Sequence, residues 1–321
     1  MIFDKRLAFK PFEYQWAYDY WFKQQNAHWL HSEINMQQDI IDWEQNLSKS
    51  EKNVIGNILK GFAQTETEVE DYWTGKVTKW FPKPEIKMMA TAFGSMETIH
   101  ATAYSYLNDT LGLDDFESFL HDEDTMGKLE SLMQINDSEQ NTIRDIAKSI
   151  AIFSACAEGI QLFSSFAILL SFRKTNRLKG IGQQMIFSIK DESLHSEAGC
   201  KLFREVVREF KDINDKELCD NISDAVKLSI DAEFKYIDKV FEQGDIETIS
   251  KAQLKNFMLH RGNRKMKELG FGEIFKVDEQ LYNEMKWFYS FVSGEMQTDF
   301  FTNRETGYAK PNEDWNNNEL F

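Results

Sequence analysis

Proline is nearly missing from this chain. Of 321 residues only Pro11, Pro82, Pro84 and Pro311 are proline. Nothing between Pro84 and Pro311 therefore forces a helix to stop. Glycine is also sparse, with 16 residues. The pair of shortages argues against a turn-rich β architecture and for one mostly helical domain. Cysteine is scarce too: Cys156, Cys200 and Cys219 are odd in number and have no metal-ligand spacing. That excludes a disulfide framework and a thiolate metal site, and reduced, buried, cytosolic thiols are expected. No uninterrupted run of about 18 apolar residues occurs, so no membrane span is expected. The start, Met1 to Arg6, lacks the apolar centre of a signal peptide. Positive charge is in deficit: 37 basic residues against 53 acidic give a net charge of −16. Such a surface repels nucleic acid and anionic membrane, and neither is expected as a partner.

Aromatic residues are plentiful, at 14% of the chain with 26 phenylalanines. They suit a large core, or a dry shell around an oxidising centre. Residues 1–12 read as an irregular arm, and Tyr14 to Gln25 as a first helix. Asn26 to His31 is a turn that carries Trp29. Ser50 precedes a helix that should run to about Lys79, with Ile55, Ile58, Leu59, Phe62 and Val69 at helical spacing. After Phe81-Pro82-Lys83-Pro84 a helix should run from Glu85 to about Gly112. Residues 113–140 hold acidic patches and a short amphipathic segment. A long apolar helix is expected over about 139–172, and another from near Gly182. Residues 1–300 are expected to form one domain. Residues 301–321 change composition and are expected to be a flexible tail that keeps Tyr308, Trp315 and Phe321.

Two stretches carry the same chemistry. Glu97-Thr98-Ile99-His100 and Glu192-Ser193-Leu194-His195 are both Glu-x-x-His, inside apolar-periodic segments. Residues three apart on a helix share a face, so each motif aims a carboxylate and an imidazole at one point. Each is preceded by a helix with an inward-facing glutamate. Glu66 lies one turn after Phe62 and three residues before Val69, on the buried stripe. Glu158 stands alone in Ala151 to Phe163, where burying a carboxylate is costly unless it is paired or metal-bound. A single Glu-x-x-His is easily a surface pair, but a duplicated half-site is not. Four carboxylates and two imidazoles from four helices form the two-metal site of ferritin-like bundles. They neutralise two divalent cations and suit iron, manganese or zinc.

On these residues the chain resembles the beta subunit of class I ribonucleotide reductase over nearly its whole length. The resemblance implies an all-α, ferritin-like bundle with a dinuclear centre held by Glu66, Glu97, His100, Glu158, Glu192 and His195. It implies a radical tyrosine at Tyr104, a transfer tryptophan at Trp29, and Asp191 linking Trp29 to His100. Tyr308 would relay the oxidising equivalent to a large, alpha subunit docked on the tail. A homodimer and a cytoplasmic location are implied as well. Two features depart from the iron–tyrosyl pattern. The first ligand is Glu66 rather than Asp, as in manganese-using branches, and Leu162 and Ser188 alter the tyrosine pocket. They favour a manganese pair over iron or a mixed pair, activated by oxygen or superoxide, with the oxidising equivalent on the metals. A dimetal oxidase or monooxygenase acting on a bound organic substrate is the alternative, and a metal store is a weaker one.

Overall fold

The computed structural model describes residues 1–113, 139–242 and 244–294. Among them the structure is helical, with no strand. The main helices are α1 (Gln15–Asn26), α2 (Lys49–Asp71), α3 (Pro84–Leu111), α4 (Ile143–Ile152), α5 (Phe163–Ser171), α6 (Lys179–Glu209), α7 (Lys216–Val240) and α8 (Lys251–Glu268). Two shorter ones follow, α9 (Glu279–Glu284) and α10 (Lys286–Ser293). The acidic segment after residue 113 lies largely, and the expected tail with Tyr308 wholly, outside the described residues.

Local chemistry explains most boundaries. Helix α2 starts two residues earlier than Ser50 suggests. The Ser48 hydroxyl accepts from the Glu51 N–H, and the Glu51 carboxylate accepts from the Ser48 N–H at 2.8 Å, a reciprocal cap. Thr142 and Asp145 do the same for α4. Pro84 opens α3, where a missing N–H costs nothing. Gly112 closes it at φ +67°, a conformation that favours glycine. Helix α6 begins at Lys179, three residues before the expected start. Its first N–H groups are met from a distant segment: Asp39 accepts from Gly180 and Ile181 at 2.9 and 2.8 Å, and Asp42 accepts from Leu178. Gly180 permits this, because a Cβ there would press on Met36 and Asp39.

Besides a short one at Asp42–Asn46, two widened, π-type turns lie in the helical rods of the core. One spans Tyr72–Val77, after α2; the other spans Phe153–Gln161, between α4 and α5. An extra residue per turn re-aims every side chain beyond it. The two stretches face each other: Tyr72 stacks on Phe153 at 3.6 Å between ring centres.

Helices α2, α3 and α6 and the second widened turn surround the core, while α1 packs on α3 and α8 on the turn. Ile143–Thr175 is, over its most apolar window, long and apolar enough to cross a membrane, with mean hydropathy 1.5, but 89% of that window is buried inside the bundle. Its composition is that of a central helix, apolar on every side because it is enclosed on every side.

Candidate metal centre

The six acidic and imidazole residues meet in the bundle interior. Helix α2 contributes Glu66, α3 Glu97 and His100, the widened turn Glu158, and α6 Glu192 and His195. All six are at most 1% exposed. Their donor atoms fall into two overlapping sets, each within 4.8 Å: Glu66, Glu97, His100, Glu192 and Glu97, Glu158, Glu192, His195. Glu97 and Glu192 belong to both. Two shared carboxylates between two terminal pairs is the donor geometry of a dinuclear centre.

Both oxygens of Glu66 and Oε2 of Glu158 are buried without a hydrogen-bond partner. An unpaired buried ion costs on the order of several kcal/mol even after relaxation. Two divalent cations remove that cost, so the residues fit a metal pair. Without it the protons are crowded. Burial, then the charge of Glu97, raises the Glu66 carboxyl well above the usual range. Glu192 is raised by burial and then by Glu97 and Glu158. Burial would also raise Glu97, but His195 and His100 hold it at about 2. Burial would lower His195, yet Glu97 lifts it to about 9. Glu97 likewise holds His100 well above the usual imidazole value against burial.

The metal-free site therefore holds protons on Glu66, Glu192 and both imidazoles more tightly than the free side chains would. Ligation needs ionised carboxylates and free imidazole nitrogens, so loading must expel protons. Affinity should rise with pH, by about tenfold per unit for each proton displaced. Calorimetric titration with Mn²⁺ in buffers of different ionisation enthalpy checks this; an affinity flat from pH 6 to 8 contradicts it.

The imidazoles are held from behind. Nδ1 of His100 faces Glu97 and Glu192 at 2.9 and 3.0 Å, while Nε2 lies 3.1 Å from Oδ2 of Asp191. Nδ1 of His195 faces Glu97 at 2.7 Å, and Nε2 lies 2.8 Å from Oε1 of Gln24. The Trp29 indole N–H donates to Oδ2 of Asp191 at 2.8 Å, and the Gln24 amide donates to Oδ1 at 3.0 Å. Such partners fix the imidazole tautomer and leave Nδ1 for the metal.

The sequence reading missed Gln24 and Trp73. Gln24 is 2% exposed. Its signal was present, since Ala17, Tyr20 and Gln24 form the buried stripe of α1. Trp73, in the first widened turn, donates its indole N–H to Oε1 of Glu158 at 2.5 Å. Nothing in the local pattern announced that contact, because it depends on both widened turns.

Tyr104 is fully buried, and its hydroxyl makes no hydrogen bond. The Phe62 ring packs on it at 4.8 Å and the His100 ring at 6.1 Å. The buried Ser188 hydroxyl approaches the phenol without completing a bond. Burial pushes the phenol well above its usual value. Trp29 is 3% exposed, with its ring 5.9 Å from that of His100.

The ribonucleotide reductase small chain family model matches residues 6–283. A probable ribonucleoside-diphosphate reductase small subunit from Invertebrate iridescent virus 3 is 32% identical, over 95% of this chain and 85% of its own. Among solved structures, the dimanganese(II) NrdF protein of Streptococcus sanguinis superposes with a TM-score of 0.75 at 20% identity, covering 88% of this chain and 99% of that one. The Rnr4 homodimer from Saccharomyces cerevisiae gives 0.71 at 16% identity, covering 89% and 90%. These two likenesses bear on the fold, which is the ferritin-like bundle.

Proposed function

We propose, for a chain that belongs to the ribonucleotide reductase small chain family, that the six-residue cluster holds a manganese pair whose oxidising equivalent leaves through His100, Asp191 and Trp29. The chain is the small, beta subunit of an oxidoreductase and works with a large subunit. Its centre is dinuclear. When bound, the metals supply a one-electron oxidant. The family does not favour a dimetal oxidase acting on its own organic substrate.

One observation carries the route. A single oxygen, Oδ2 of Asp191, lies within hydrogen-bond distance of both the His100 ring and the Trp29 indole. Losing an electron makes an indole N–H far more acidic, and Asp191 is placed to accept that proton. Burial keeps water from quenching the tryptophan. From Trp29 the hole passes to the large subunit, and Tyr308 in the tail is the proposed next step. Residues 301–321 form the docking segment, and the chain pairs as a homodimer. The free, mostly buried cysteines support a cytoplasmic location. Adding this chain, loaded with Mn²⁺ and oxidised, to a purified large subunit should start deoxynucleotide formation. Deleting residues from Pro311 onward should weaken that association while leaving the metals in place; an unchanged affinity rejects tail docking.

Manganese is favoured by Glu66, a longer carboxylate than the aspartate of iron–tyrosyl relatives, and by the Ser188 hydroxyl beside Tyr104. Iron or a mixed pair would use the same donors. Oxygen or superoxide would activate the centre, superoxide fitting divalent manganese better. A long-lived phenoxyl radical needs a dry apolar cage. Phe62 supplies one wall, but Ser188 and the charges of Glu66 and Glu192 also bear on the phenol. With such a pocket the oxidising equivalent would rest on the metals. Tyr104→Phe should keep at least about half of wild-type turnover, a loss under ~0.4 kcal/mol. Vanished turnover with oxidised metals, alongside a tyrosyl resonance that tracks wild-type activity, places the radical on Tyr104.

A further inference from the structure

The buried ligand Glu158 sits in the widened turn Phe153–Gln161, between α4 and α5. A π-type turn has poorer hydrogen-bond geometry than an α-turn and persists where something holds it. Two neighbouring helices reach into this one. From α6, the Ser196 hydroxyl donates to the Ser154 carbonyl at 2.6 Å. From α8, the Arg261 guanidinium donates to the Gly159 carbonyl through Nε at 3.2 Å and through a terminal nitrogen at 2.8 Å. The two carbonyls lie on either side of Glu158 in sequence.

Arg261 is an expensive residue in this place. It is 2% exposed and makes no ion pair among the described residues. Its charge is met by the Gly159 carbonyl and by the Phe163 ring, whose centre is 3.3 Å from the guanidinium carbon. Buried arginine without an acidic partner is rare. A methionine could fill similar space, and such exchanges often leave stability unchanged or improved. Packing alone therefore gives little reason for a guanidinium here. Gly159 also has no room for a side chain: a Cβ would strike Lys265 and Ser196. Helices α6 and α8 close directly on the backbone next to Glu158.

We infer that Arg261, assisted by Ser196, is a positioning residue that locks the widened turn so that Glu158 faces the second metal position. This rests on the metal-pair reading above. Glu158 and His195 belong to only one of the two donor sets, whereas Glu66 and His100 belong to the other. Loosening the turn should thus weaken one metal and spare its neighbour.

Cobalt(II) titration of the full-length metal-free protein tests this, because the visible bands of Co²⁺ report coordination number and geometry as well as occupancy. Wild type should fill in two steps. Arg261→Met should weaken one step by about 10- to 100-fold, the range for lost support of a metal ligand. It should alter that step's spectrum and leave the other step within about threefold. Arg261→Lys keeps the charge but not the fork and should fall between; it also serves if the methionine variant does not fold. Ser196→Ala should show the same selective loss, smaller in size. Unchanged steps in the arginine variants overturn the inference. Equal weakening of both steps does so too, since that marks a general packing role. A wild type that binds fewer than two ions removes the metal-pair reading itself, and the inference with it.

Discussion

Replacing Trp29 by phenylalanine is expected to cut turnover by more than about a thousandfold, equivalent to over ~4 kcal/mol of barrier, while metal loading stays the same. Phenylalanine keeps the packing against Phe187, whose ring lies 5.4 Å away. It loses the N–H that reaches Asp191. It also cannot be oxidised at a potential that the centre could supply. The cost to folding is small by comparison: one hydrogen bond to a charged acceptor, about 1.5–3 kcal/mol. Asp191 still has His100 and Gln24 as partners. Deoxynucleotide formation with the large subunit, measured beside metal content and electron paramagnetic resonance of the centre, separates the steps. Turnover above about a tenth of wild type would mean that the hole leaves by another path.

Removing a shared carboxylate should do more damage than removing a terminal one. Glu97 lies in both donor sets and touches both imidazoles. Glu97→Ala should leave the chain nearly empty of metal, because each position loses a ligand and each Nδ1 atom loses its nearest carboxylate. Glu66→Ala should empty one position only. Losing one partner of a buried charged group costs about 3–5 kcal/mol, or roughly 10²- to 10⁴-fold in affinity for each metal concerned. Elemental analysis after saturation with Mn²⁺ and gel filtration distinguishes the two patterns. Equal retention in the two variants would mean that Glu97 does not bridge.

The part of the site legible in the sequence is the part built by single helices. Glu97 with His100, and Glu192 with His195, are each fixed by three-residue spacing. Glu66 follows from its register with Phe62 and Val69, and Glu158 from its isolation in an apolar run. These signals are local, and the structure gathers all six side chains. What escaped depends on contacts between helices. Trp73 reaches Glu158 only because two rods widen opposite each other. The early start of α6 depends on Asp39 and Asp42, some 140 residues before it. In sequence Arg261 is one basic residue among several, beside Arg264, Lys265 and Lys267, and nothing local marks it as buried. Gln24 lay on a readable stripe, but a buried amide suggests ordinary packing until its two partners are known.

That amide has a consequence for how relatives of this chain can diverge. Gln24 donates to Asp191 from one end and accepts from His195 at the other. Only a side chain with a donor and an acceptor at fixed separation satisfies both. A glutamate would set two carboxylates together, and a leucine would strand both partners. Position 24 should therefore change across descendants only in step with its neighbours in space, through a replacement at 191 or 195 or a polar group arriving from another helix. An inherited coupling among three sites far apart in the chain would be the historical trace of one hydrogen-bonded amide.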